Sequence, residues 1–314
     1  MLIDIETLFN NVLLLMLMLV PGVIMARLLK GDKSFANGLS KLVLYIATPA
    51  MMISPFIREF EKEMLGGIIA SALLTAAAML SFFLASFLIW GESRVKRTLQ
   101  FSIIFSNAGY MGIPLIERLL GADAAIYATA ANVSFNLLLW TLGCFVYTHD
   151  TKYMRPLKIA TNPVIIGMAV GLLLFFTPAS RYVPDVASSA IDMLKGLVAP
   201  ISMMVVGYHA ASANYKRVLA RGSLWFSIAL RLLICPVITF ALLKVLSAVG
   251  IYSNTVVATV VFIAAATPSA TATSMFAEMF DGDTEVSGVL VPISTVLSLA
   301  SMPLTALLLK LYKI

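Results

Sequence analysis

Sixty per cent of the 314 residues are apolar, 12% are charged, and the mean hydropathy is +0.96. A soluble globular chain is about a quarter charged, so this is an integral membrane protein with nothing left for a soluble domain. The 22 Lys and Arg against 16 Asp and Glu do not indicate a nucleic-acid partner, because the bases fall in short loops between apolar runs.

A bilayer-spanning helix takes ~20 mainly apolar residues. On that rule the chain holds ten candidate spans: 7–28, 36–57, 65–90, 98–117, 124–148, 160–178, 187–210, 222–247, 255–277 and 287–310. Asp4 and Glu6 precede the first span, and no positive region or small-residue cleavage site is present, so the span is expected to be retained rather than cleaved as a signal peptide. Arg27, Lys30, Lys33 and Lys41 follow or flank the first loop. Arg94, Lys96 and Arg97 fill the third, Lys152, Arg155 and Lys158 the fifth, and Lys216, Arg217 and Arg221 the seventh. Bases in alternate loops make those loops cytoplasmic, which places both termini outside. The ninth loop, with Asp281, Asp283 and Glu285 and no base, adds no support.

The second span carries Tyr45-Ile46-Ala47-Thr48-Pro49-Ala50-Met51-Met52, which is similar to Leu197-Val198-Ala199-Pro200-Ile201-Ser202-Met203-Met204 in the seventh, 151 positions later (200 − 49). Pro114 and Pro268 are 154 apart (268 − 114). Matching offsets indicate a duplicated five-span unit, with repeats over 1–155 and 156–314. Five is odd, so the second copy enters from the opposite side and the repeats are inverted. The expected fold is all-α, with ten transmembrane helices in two inverted five-helix repeats.

The fourth span is interrupted by Ser106-Asn107-Ala108-Gly109-Tyr110-Met111-Gly112-Ile113-Pro114, the ninth by Thr267-Pro268-Ser269-Ala270-Thr271-Ala272-Thr273. Proline removes a donor and clashes with the preceding turn, so a kink or break is expected at each. Non-helical backbone at membrane depth is tolerated only where it is buried in protein or lines a wet cavity. The outgoing half-helices would then point unpaired N–H groups and a partial positive charge at that cavity, a site for an anion and for a carboxylate especially. Asn107, Thr267, Ser269, Thr271 and Thr273 supply the amide and hydroxyls such an anion would need, and Gly109, Gly112, Pro114 and Pro268 shape the breaks. Small residues also let helices pack closely. Two such motifs at equivalent positions favour the binding reading.

Elsewhere, Asn132 and Asn136 share one side of the fifth span and either line the cavity or bond another helix. Arg231 lies ~15 Å deep in the eighth span, where it counters the substrate anion or binds free carbonyls at a helix break. Glu117 and Glu278 close spans four and nine near an interface, and Asp192 and Lys195, one turn apart, are placed to pair with each other. His149 and His209 are assigned to loop and interface, with no metal partner. Cys144 and Cys235 read as small packing residues. The chain has no HExxH, no GxSxG and no intramembrane Asp pair, so neither enzymatic activity nor a cofactor is expected.

Phe105 through Leu115 resembles the fourth-span signature of the auxin efflux carrier family, which includes plant PIN-type carriers and bacterial malate or malonate permeases. Ala229-Leu230-Arg231-Leu232-Leu233-Ile234-Cys235-Pro236 is similar to its eighth span, Asn162-Pro163 through Gly171 to its sixth, and Pro268 through Glu278 to its ninth. The resemblance implies a fold similar to sodium/proton antiporters and bile-acid symporters. Spans one, two, six and seven would form a scaffold and homodimer contact. Spans three to five and eight to ten would move as a transport domain in an elevator-type cycle, with helices four and nine crossing at Pro114 and Pro268. The implied substrate is a small organic anion bound near Asn107, exported as an auxin-like monocarboxylate or as malate or malonate. Sodium-coupled symport of the bile-acid type, with Asn107, Ser269, Thr271 and Glu278 around the ion, is the alternative. The long loop of plant members between spans five and six is missing.

Overall fold

The computed structural model describes residues 5–30, 33–149, 160–213, 215–250 and 254–311, with backbone alone at Lys33, Ser212, Glu278, Lys310 and Leu311. Lys152, Arg155 and Lys158 of the fifth loop lie outside the described residues. In chain order the helices of eight or more residues are α1 (Ile5–Leu28), α2 (Ser34–Phe56), α3 (Lys62–Ser86), α4 (Ser93–Ile104), α5 (Ile113–Leu120), α6 (Ala122–Thr148), α7 (Pro163–Phe176), α8 (Asp185–Ala211), α9 (Gly222–Ala248), α10 (Thr255–Ala266), α11 (Ala272–Met279) and α12 (Thr284–Leu309). Seven of them, α1, α2, α3, α6, α8, α9 and α12, are long and apolar enough to cross a membrane. At 14 residues α7 is shorter, and the expected fourth and ninth spans are each two helices, α4 with α5 and α10 with α11.

Local chemistry sets the ends and bends. Asn162, Asn254 and Asp283 each precede a helix and accept a hydrogen bond from an N–H of its first turn, at 2.9, 3.1 and 2.9 Å; such a cap contributes ~1 kcal/mol. Pro49, Pro114 and Pro236 each sit two residues after a π turn, Val43–Ala47, Ala108–Gly112 and Leu230–Ile234. A helix that widens ahead of a proline relieves the clash between its ring and the carbonyl four residues back. The third-loop bases are not in a loop: Arg94, Lys96 and Arg97 occupy the start of α4. Cations at a helix N-terminus oppose its dipole. Partners offset this, since Arg97 Nη1 donates to the Tyr147 carbonyl at the end of α6 (2.6 Å) and Arg94 pairs with Asp281 (2.6 Å).

Lipid supplies little hydrophobic drive for helix association, so close packing has to hold a membrane bundle together. It is tightest where glycine lets backbones touch. A Cβ at Gly22 in α1 would strike the Met204 carbonyl of α8, and one at Gly207 in α8 would strike the Leu19 carbonyl of α1. In α7, Gly167 lies against Pro49 and Gly171 against the Met52 carbonyl, both of α2. Helices α1, α2, α7 and α8 are therefore joined in backbone-close pairs. Large apolar side chains such as Leu73, Leu80 and Leu84 on α3 point outward, as a lipid-facing surface requires.

Candidate functional site

The two interrupted segments meet. Helix α4 stops at Ile104, Phe105 turns extended (φ −101°, ψ 110°), and Ser106 forms an isolated antiparallel β-bridge with Ser269. Asn107 N–H donates to the Pro268 carbonyl at 2.7 Å, and Ala270 N–H donates to the Phe105 carbonyl at 2.9 Å. Pro268 has no N–H to leave unpaired, so it accepts at the crossing without stranding a donor. Beyond it, the Asn107 carbonyl takes the N–H groups of Met111 and Gly112 (3.0 and 3.1 Å) to start the outgoing turn into α5. On the other strand Thr273 and Ser274 N–H donate to Ala270 and Thr271 carbonyls (3.0 and 3.2 Å) to start α11. The segments thus cross at Ser106 and Ser269. Pro268 is at the crossing, but Pro114 is not: it lies eight residues beyond Ser106 (114 − 106), in the first turn of α5. Backbone pairing needs extended residues, and the fourth span unwinds at Phe105–Asn107, ahead of the proline.

Beside the crossing is a cavity of about 150 Å³. Ser106, Asn107, Gly109 and Thr271 line it from the crossing, and Asn132 and Asn136 from α6. Its apolar wall is Phe135, Leu139 and Trp140 of α6 with Val205, Val206 and Met275. Asn37 and Ser40, early in α2, and His209, late in α8, also line it, and these helix ends adjoin the basic first and seventh loops. The cavity therefore extends from the crossing toward the side that carries the basic first and seventh loops. Among the described residues, no Asp, Glu, Lys or Arg lines it.

Two of its polar groups have no partner among the described residues. Asn107 is 3% exposed and its side-chain Nδ2 has no partner, and the Asn132 Oδ1 is likewise without one. A buried donor left unpaired costs ~1–3 kcal/mol, which a ligand oxygen recovers. Asn136 is less available, since its Nδ2 donates to the Asn132 carbonyl on its own helix (2.8 Å).

The expected site residues divide accordingly. Asn107, Gly109, Thr271 and Asn136 meet at the cavity, whereas Gly112, Pro114, Thr267, Pro268, Ser269, Thr273 and Arg231 do not line it. The Thr267 hydroxyl is committed to the Ala264 carbonyl (2.8 Å), and the buried Ser269 and Thr273 hydroxyls have no partner within the crossing. Arg231 is wholly buried. Its Nη1 donates to the Ile103 carbonyl (2.8 Å), its Nη2 to the Ala265 carbonyl, and its guanidinium lies 4.9 Å over the Phe82 ring.

Two further placements differ from expectation. Asp192 and Lys195 do not pair with each other: Ser54 Oγ donates to Asp192 (2.6 Å), and Lys195 Nζ bonds Glu117 (2.6 Å), joining α8 to α5. Tertiary neighbours offered each a closer partner than the adjacent turn did. His209 lines the cavity rather than a bare interface. The Glu278 side chain lies outside the described residues. The wall on α6 was legible as a stripe, since 132, 135, 136 and 139 follow the i, i+3, i+4, i+7 pattern of one helical face.

Residues 7–156 match the family described as "Membrane transport protein", and residues 203–313 match the "Sodium Bile acid symporter family". An uncharacterized transporter of Methanocaldococcus jannaschii is 23% identical over 279 residues, covering 84% of this chain and 86% of that protein. One from Methanothermobacter thermautotrophicus is 23% identical over 285 residues, covering 87% and 89%.

Proposed function

We propose that the chain, which matches the membrane transport protein family over residues 7–156 and resembles the auxin efflux carriers, is a secondary carrier of small organic anions, binding the substrate carboxylate beside the crossing of its two interrupted segments. The observation that carries this reading is the unpartnered, buried Asn107 amide on a cavity wall next to the starts of two outgoing helical segments. Both the free donor and the helix starts favour negative charge there. Thr271 and Ser106 add hydroxyls around it.

The rest of the cavity narrows the substrate. Phe135, Leu139, Trp140, Val205, Val206 and Met275 offer an apolar surface, where a second carboxylate would be stripped of water without a partner. An auxin-like monocarboxylate with an apolar or aromatic body fits better than malate or malonate. Among the described residues no acid lines the cavity, and the anion moves as a charged species. An inside-negative potential drives it outward with ~2.3 kcal/mol per 100 mV.

Turnover follows by alternating access. Helices α1, α2, α7 and α8, packed through glycine, act as the scaffold, and the crossed helices slide against them with the substrate. The Lys195–Glu117 ion pair, at the end of α5 away from the basic loops, closes the outer side when the cavity faces the cytoplasm. In the outward-facing state the crossing is displaced along the membrane normal relative to Gly22 and Gly207. A crossing that stays level while single helices hinge would contradict the elevator.

Solid-supported-membrane currents from proteoliposomes test the function. Indole-3-acetate is expected to give a current that the neutral indole-3-acetamide does not, independent of sodium and larger than with malate or malonate. Silence with every carboxylate would overturn the reading. A carboxylate current that requires sodium would favour the second reading, sodium-coupled symport of the bile-acid type, which the match over residues 203–313 supports.

A further inference from the structure

Deep in the bundle lies a cation that pairs with no carboxylate among the described residues. Arg231 is the single charged side chain among the buried described residues, and it forms none of the ion pairs found among them. Two of its donors go to backbone oxygens at equivalent points. Ile103 is the last residue but one of α4, and Ala265 is the last but one of α10. Both helices end where their chains turn extended into the crossing, so both expose carbonyls that no further turn can satisfy.

Each helix C-terminus carries roughly −0.5 elementary charge, and each N-terminus roughly +0.5. At this crossing all four ends converge. Left to themselves, the negative ends of α4 and α10 would offset the positive starts of the outgoing segments at Asn107 and Thr271, and the cavity would have little net preference for an anion. A guanidinium bonded to both negative ends supplies roughly the charge that cancels them. We propose that Arg231, without touching the substrate, is the positioning residue that gives the cavity its preference for anions: it neutralises the two converging helix C-termini and fixes them to each other.

This rests on the reading of the cavity as a carboxylate site. Arg231 does not line the cavity, and a mobile substrate contact would not be tied to two carbonyls and an aromatic ring. The Cys235 thiol shares one of these partners, its Sγ lying 3.9 Å from the same Ile103 carbonyl.

The test measures indole-3-acetate affinity in wild type, Arg231→Lys and Arg231→Gln, with melting temperature as the control for folding. Lysine keeps the charge and donates to both carbonyls, so Arg231→Lys is expected within about threefold of wild type at pH 7 and to lose affinity at least tenfold as the pH rises and its buried ammonium deprotonates. Wild type, with the same Cys235 and an arginine that holds its proton, shows no such alkaline limb. Arg231→Gln, if folded, is expected to lose at least tenfold at every pH. A flat pH profile in a folded Arg231→Lys, or full affinity in a folded Arg231→Gln, would overturn the role of charge. So would a loss in Arg231→Lys at pH 7 as large as in Arg231→Gln, which would leave a purely structural fork. Absence of carboxylate binding in the wild type would instead overturn the carboxylate site itself.

Discussion

Asn107→Ala is expected to weaken carboxylate binding tenfold or more while leaving the folded protein intact. The expectation comes from how differently the backbone and side chain of this residue are used. Its N–H and carbonyl build the crossing, bonding Pro268 on one side and Met111 and Gly112 on the other. Alanine keeps both. Among the described residues its side-chain Nδ2 bonds nothing, so truncation breaks no hydrogen bond made by that group and removes a buried orphan donor. The only partner lost is the ligand. A hydrogen bond to a charged group contributes ~1.5–3 kcal/mol, and ~1.4 kcal/mol is a factor of ten in affinity. Melting temperature without ligand should therefore be unchanged or slightly raised, while the concentration for half-maximal current rises. Unchanged affinity would remove Asn107 from the site, and a collapsed melting temperature would show that its side chain holds the fold.

Gly207→Val is expected to do the opposite, damaging the fold at a position that does not itself line the cavity. The position faces the Leu19 carbonyl so closely that even a Cβ cannot be accommodated. Backbone atoms cannot rotate away as a side chain would, so α1 and α8 have to separate, and the reciprocal contact of Gly22 with the Met204 carbonyl opens with them. Overpacking costs ~1–3 kcal/mol where side chains give way; with backbone on the far side about 3 kcal/mol is expected. Melting in detergent should show it as a lower transition and a reduced folded yield. Gly38→Ala in α2 is the control, because a Cβ there meets nothing within 4 Å. A Gly207→Val protein as stable as Gly38→Ala would show that α1 and α8 are not locked together.

The parts of this architecture written in local chemistry were legible before any coordinates. Gly109, Gly112 and Pro114 in one half and Pro268 in the other mark the interrupted segments, because those residues cannot propagate a regular helix. Arg231 was marked by its depth alone, and carbonyls at a break were one of its two readable partners. Which carbonyls, and that two helix ends share it, depends on how α4 and α10 approach, and no single segment encodes that. The same reason displaced the crossing from Pro114 to Ser106: a proline shows where a helix is strained, but the neighbouring strand decides where backbone groups pair. Asp192 and Lys195 illustrate the limit from the other side. Their spacing permits a local pair, yet Ser54 and Glu117 arrive from other helices and take both.

Some signals lay in the sequence unread. Gly22 with Ala26 and Gly207 with Ala211 each have small residues four apart, the spacing that lets membrane helices approach closely, and it is here that α1 and α8 touch. The α6 face bearing Asn132, Phe135, Asn136 and Leu139 combines amides with apolar bulk, a mixture suited to an amphipathic ligand rather than to lipid. His209, expected at an interface, lines the cavity; the end of a helix does not show which way its last turn faces.

The claim that a carboxylate binds at the crossing is tested most directly by a structure determined with 5-bromoindole-3-acetate bound. The account predicts the carboxylate within hydrogen-bonding distance of Asn107 Nδ2, and the anomalous bromine peak against the wall of Phe135, Trp140 and Met275. A peak at the mouth between Asn37 and His209, or a carboxylate bonded to Arg231 itself, would contradict it.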